Sequence, residues 1–205
     1  MFQPRIWFVA SMIAYAVVIR IVPYVLHNGF GIEIDPARTI YPWNFSPLTA
    51  LCLFGGAYYA DRRLSYIIPL AALALSDVCI GLLMGDLRFA IHPTTPFVYG
   101  CFAIAVALSM WLRERRSVWR IATTGLAAET LFFIVTNFGV WAFQSTYTPD
   151  ATGLLTCYIA ALPFFGRSLL STGIFSAVFF SRLALAERPV QIPNPAAVPA
   201  SMTSA

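Results

Sequence analysis

The stretch ALSDVCIGLLMG (74–85) holds a carboxylate, Asp77, and a thiol, Cys79, inside an otherwise apolar segment. A carboxylate accepts hydrogen bonds and pairs with cations. A thiolate is a soft ligand suited to a transition metal. Residues two apart on a helix are about 200° apart around its axis, so these two side chains face opposite sides. Gly81 and Gly85 permit local distortion or a close neighbouring helix, and Ser76, three before Cys79, shares its face. This spacing predicts that Asp77 turns to a neighbouring helix and pairs with Arg20 or Arg167, while Cys79 turns to a cavity. A lone cysteine in an apolar helix also packs simply as a small hydrophobe. With only the distant His27 and His92 available, it falls short of a dedicated metal site. It suffices for one axial position on a metal already held by a macrocycle.

Arg20, Asp77, Glu129 and Arg167 are the charges in or near apolar segments. Such charges face a bundle interior and pair, or they mark a functional site. Arg20, Asp77 and Arg167 read toward the outer half of their segments and Glu129 toward the middle, as a site open to the outer face requires. Glu129 is expected paired or protonated. Asn137, in VTNFGVW, is either glue between helices or a donor to a solute. In the loop from His27 to Pro47, Tyr41, Trp43 and Phe45 are either interfacial anchors or the lining of a cavity for a flat ligand. A structureless loop of that length is often functional. Cys52, Cys101 and Cys157 read as packing residues, and His92 as a solvated loop residue. No Gly-x-Ser-x-Gly, HExxH or Cys–His–Asn pattern occurs, which weighs against a membrane thiol or acid–base enzyme built on Cys79, Asp77 or Glu129.

The elements that must position these residues are membrane helices. Of the 205 residues, 59% are hydrophobic and 11% charged, and the mean hydropathy is +0.74. Soluble domains carry about 25% charge. Apolar runs at roughly 6–26, 46–60, 64–84, 96–112, 118–143 and 154–184 predict an all-α bundle of six spans over residues 1–185, the second short and partly buried in the bundle. Pro163, in LPFFGR, is expected to break or kink the last run, giving either a short helix before the sixth span or one long kinked helix. The 13 basic residues are all arginine. With the N-terminus in the cytoplasm, Arg5, Arg62, Arg63, Arg113, Arg115, Arg116, Arg120, Arg182 and Arg188 fall inside, against Arg38 and Arg88 outside. That bias predicts two cytoplasmic termini and outer loops at 27–45, 85–95 and 144–153. The net charge of +4 therefore reads as topology, with no nucleic-acid partner. Residues 186–205 are Pro/Ala-rich and read as a disordered cytoplasmic tail.

Three stretches carry a resemblance: NFSPLTALCLFGGAYYADRRLSYIIPLAALALSDVCIG (44–81), FFIVTNFGVWAF (132–143) and GLLTCYIAALPFFGRSLLSTGIFSAVFF (153–180). Together they resemble the substrate-binding S-components of energy-coupling-factor (ECF) vitamin transporters of the bacterial inner membrane. The cysteine in SDVCIG resembles that of the BtuM-type vitamin B12 transporters. The resemblance implies an S-component-like six-helix bundle with a pocket near the outer face, closed by loops. It implies cobalamin as the transported solute, with the Cys79 thiolate as axial ligand of its cobalt and His27 as a second pocket residue. A thiolate on cobalt(III) would also assist removal of a bound cyanide. S-components dock an energising module through a small-residue patch on their first span, and Ala10 and Ala14 stand at that spacing here. The alternative is a related transporter for another small vitamin or metabolite.

Overall fold

A computed structural model describes residues 2–32, 45–89 and 91–187. Among these residues lie α1 (Ile6–Phe30), α2 (Leu48–Tyr58), α3 (Arg62–Met84), α4 (Thr95–Ser109), α5 (Val118–Phe143) and α6 (Ala151–Phe179). The last turns of α4 tighten into a 3-10 helix over Met110–Arg113. Counting that extension, five helices are long and apolar enough to cross a membrane. The chain is thus an all-α membrane bundle. One ribbon departs from a purely helical plan: β1 (Phe2–Pro4) pairs antiparallel with β2 (Leu185–Glu187). The Arg5 amide donates to the Ala184 carbonyl (2.8 Å), tying the start of α1 to the end of α6. Ala186 and Glu187, expected in the tail, belong to this ribbon; 188–205 lie outside the described residues.

The second helix is the main correction to the six-span expectation. α2 has 11 residues, about 16 Å of helix, roughly half the ~30 Å of hydrocarbon a span must cross. Its sequence, LTALCLFGGAY, is apolar all round, the pattern of a helix buried on every side. It packs against α3, α4, α5 and α6, and Leu51, Cys52, Leu53 and Phe54 are wholly buried. Its close fit relies on small residues. A Cβ added at Gly56 would fall 1.7 Å from Ser109 Oγ and 3.0 Å from the Val106 carbonyl oxygen.

Arginines close the C-terminal end of α2. Arg113 donates from Nε to the Gly56 carbonyl (2.7 Å) and from Nη2 to that of Tyr59 (2.8 Å). Arg116 Nη2 donates to the Ala57 carbonyl (2.8 Å). The last carbonyls of a helix have no partner within it, and cations there also complement its dipole. Two arginines that the sequence reads as topology signals are therefore structural caps as well.

α6 runs unbroken through Pro163 for 29 residues, so of the two readings of LPFFGR the single long helix is found. Proline removes one intrahelical hydrogen bond, whereas opening the helix in hydrocarbon would strand several backbone groups. The Asp150 side chain caps the start of α6 by accepting from the Gly153 amide (2.7 Å). That bond, with a second from Thr148, holds the Asp150 carboxyl below the ordinary aspartate range. The cap's contribution is thus full above that range and fades as pH falls through the lowered value.

Gly56→Ala is expected to cost about 1–3 kcal/mol through overpacking against α4. The expected readout is a lower unfolding midpoint in detergent, largely restored when Ser109→Gly is added. An unchanged midpoint in the single variant would contradict this account of the α2–α4 contact.

Candidate functional site

Asp77 does turn to neighbouring helices. On α3, its Oδ1 pairs with Arg20 of α1, and its Oδ2 accepts from the Tyr99 hydroxyl of α4 (2.8 Å). The carboxylate thus joins three helices. Of the two arginines expected to compete for it, Arg20 is the partner. Arg167 lies on α6 with its guanidinium 5.8 Å from the Phe164 ring centroid, and its Nη1 is buried with no hydrogen-bond partner.

Glu129 sits near the middle of α5 and is only 4% exposed. It is held by hydroxyls: Thr172 of α6 donates to Oε1 (2.6 Å), and Thr49, in the first turn of α2, also hydrogen-bonds it. The carboxyl therefore sits where the open end of the half-helix meets α5 and α6. The α2 N-terminus has no side-chain cap on its first turn beyond a long contact from the Leu48 amide to Ser46 Oγ (3.4 Å). Such an end carries partial positive charge and unpaired N–H groups.

Two adjoining cavities open beside this junction, and Glu129, Phe132 and Ser168 line both. One, of about 100 Å³, is bounded by Arg20, Ser46 and Thr49. The other, of about 220 Å³, extends past Phe133, Thr136 and Asn137 to Phe164 and Phe165. The lining combines an acid, a cation, hydroxyls, an amide and aromatic rings, a set able to orient a small polar solute. Each volume is below the ~300–1,000 Å³ of ordinary small-molecule sites. A corrin macrocycle exceeds both.

The other expected site residues fall in different places. Asn137 lines the larger cavity, but its Nδ2 bonds back to the Phe133 carbonyl (2.7 Å), leaving its Oδ1 the freer atom. Phe45 is turned into the packing: its ring lies 5.4 Å from that of Phe175, and it lines neither cavity. Tyr41 and Trp43 lie outside the described residues. His27 is in the exposed last turn of α1. His92 is exposed as expected, its Nδ1 bonded to the Thr94 hydroxyl (2.8 Å).

Cys79 lies on the opposite side of α3 from Asp77, half-buried and unbridged. Cys52, Cys101 and Cys157 are all buried, as packing residues should be. The Asn28 side chain donates to the Leu83 carbonyl (2.7 Å), which sets α1 against α3. His27 lies three residues before the end of α1 at Phe30, and Cys79 five residues, about 7.5 Å, before the end of α3 at Met84. Cys79 lines neither of the two central cavities. No group of three or more His, Cys, Asp or Glu side chains able to hold a metal occurs among the described residues. Ala10 and Ala14 are both exposed on the outer surface of α1.

Sequence reasoning missed Tyr99, Thr49, Ser168 and Thr172. A signal for part of this set was present: Ser168, Thr172 and Ser176 recur every fourth residue on α6, a hydroxyl stripe in an apolar helix.

Over residues 1–197 the chain matches a family of unknown function, DUF6580. The chain belongs to that family. No curated protein and no solved structure matches it.

Asp77→Leu is expected to cost about 3 kcal/mol by leaving Arg20 uncompensated, the low end for a buried pair because the Arg20 side chain is 28% exposed. Arg20→Met with Asp77→Leu should recover most of the loss in a detergent unfolding assay. A double variant as unstable as the single one would show that the pair is not the coupling between α1 and α3.

Proposed function

We propose that this protein is the solute-binding component of a vitamin uptake system in the bacterial inner membrane, with both termini in the cytoplasm, and that its solute is cobalamin. The observation that carries the reading is the accessibility of one thiol. Of the four cysteines, Cys79 alone is not buried, and it stands about a turn and a half from the end of α3. A half-buried sulfur remains within reach of an incoming metal, as a fully buried one does not. The resemblance of SDVCIG to the BtuM-type stretch supports the same assignment.

In this reading the corrinoid arrives from the outer face and rests across the outer ends of α1 and α3. The Cys79 thiolate takes one axial position on cobalt, because metal binding selects the deprotonated sulfur. His27, nearer the helix end, contacts the solute's rim. The cavities around Glu129, Ser168 and Asn137 lie deeper and receive polar arms of the solute, not its ring. The exposed Ala10–Ala14 face of α1 offers the surface for an energising module, since small residues let a partner helix approach closely.

The volumes and polar lining of the two central cavities favour a second reading, in which a smaller vitamin or metabolite binds at Glu129 and Cys79 is passive. The two readings separate by variant. Protein purified with cyanocobalamin should show a changed visible spectrum. Cys79→Ala should abolish the change and Glu129→Gln should keep it. An unchanged wild-type spectrum, or the same change in Cys79→Ala, would refute the thiolate assignment.

A further inference from the structure

Away from the central cavities, a groove of about 530 Å³ lies along α5 and α6 toward the arginine-rich end. Its walls are apolar or small: Ile121, Ala122, Gly125 and Leu126 on α5, Leu169 and Gly173 on α6. A Cβ added at Gly173 would meet nothing within 4 Å, so the depression there is open. Two polar residues line this space, and the hydroxyl of one, Thr172, is taken up by Glu129. Ser176 lines the groove, is 7% exposed, and its Oγ has no hydrogen-bond partner. A buried hydroxyl without a partner is costly.

We propose that the groove binds an anionic phospholipid, a property independent of the solute. Depth and charge select this occupant. Ser176 lies three residues before the end of α6 at Phe179, about 4.5 Å along the axis. That level is the polar interface at the edge of the hydrocarbon, where an ester carbonyl can accept from the serine hydroxyl. Below it, Leu169, Gly173 and Leu126 offer the acyl chain a continuous apolar wall.

Above it the groove ends at Phe180. The Phe180 ring lies 5.7 Å from that of Tyr58, over which the Arg116 guanidinium stands at 4.4 Å. Arg182 is exposed two residues beyond Phe180. These cations match a phosphate headgroup. A second copy of the chain packed on this face would instead bring two arginine-rich ends together, which like charges oppose.

The test is retention of phosphatidylglycerol against phosphatidylcholine by delipidated protein in mixed micelles, read by native mass spectrometry. Wild type should retain phosphatidylglycerol preferentially. Gly173→Leu, which fills open space, should abolish retention with an unchanged unfolding midpoint. Arg182→Gln should weaken it about five-fold, the loss expected for one arginine near a headgroup. Equal retention of the two lipids, retention unaffected by Gly173→Leu, or a wild-type dimer that Gly173→Leu dissociates would each overturn the proposal.

Discussion

Backbone N–H and C=O groups cannot be left open in hydrocarbon, and the N-terminal end of α2 lies where that rule applies. Its 11 residues reach only about halfway across, so the rest of the bundle has to complete it. At one end Arg113 and Arg116 take up the last carbonyls. At the other, the open first turn adjoins Arg20, Ser46 and Glu129 around a cavity. A short helix with one sealed end and one open end creates a polar interior in a membrane protein. Broken helices of this kind are tolerated at membrane depth only when buried in protein or lining such a space.

The intramembrane charges follow from the same constraint. Asp77 is fully engaged by Arg20 and Tyr99 and fastens α1, α3 and α4 together. Glu129 is held by hydroxyls and remains in contact with both cavities. One acid thus serves the frame and the other faces the interior, although in sequence they look alike. The difference arises from which residues the packing brings opposite each, not from the residues themselves.

The sequence made the helical class, the five long helices and an arginine partner for Asp77 legible, though not which of Arg20 and Arg167 it is, because hydropathy runs and the cost of an unpaired charge are local signals. The opposite facing of Asp77 and Cys79 followed from helix geometry alone. The half-length of α2 was visible in its short apolar run, but its role as the centre of the bundle was not. That role depends on Gly56 meeting Ser109 and on arginines more than fifty residues away. The continuity of α6 through Pro163 was undecided in sequence, since a proline's local cost has to be weighed against a lipid environment that penalises breaks. The hydroxyl contacts of Glu129 were the least legible, because threonine and serine in a membrane helix more often bond back to their own backbone, as Thr136 does to Phe132.

The functional reading joins a polar interior to an accessible thiol above it. Arg20 and Asp77 hold α1 beside α3, and this contact presents His27 and Cys79 at one end of the bundle, away from the arginine caps of α2. The most direct measurement is thiol labelling with a membrane-impermeant maleimide applied to the outer face of spheroplasts, with and without cyanocobalamin. The account predicts that Cys79 is modified from that face and that the corrinoid protects it, while Cys52, Cys101 and Cys157 stay unmodified. Modification only from the cytoplasmic face, or labelling indifferent to the corrinoid, would contradict it.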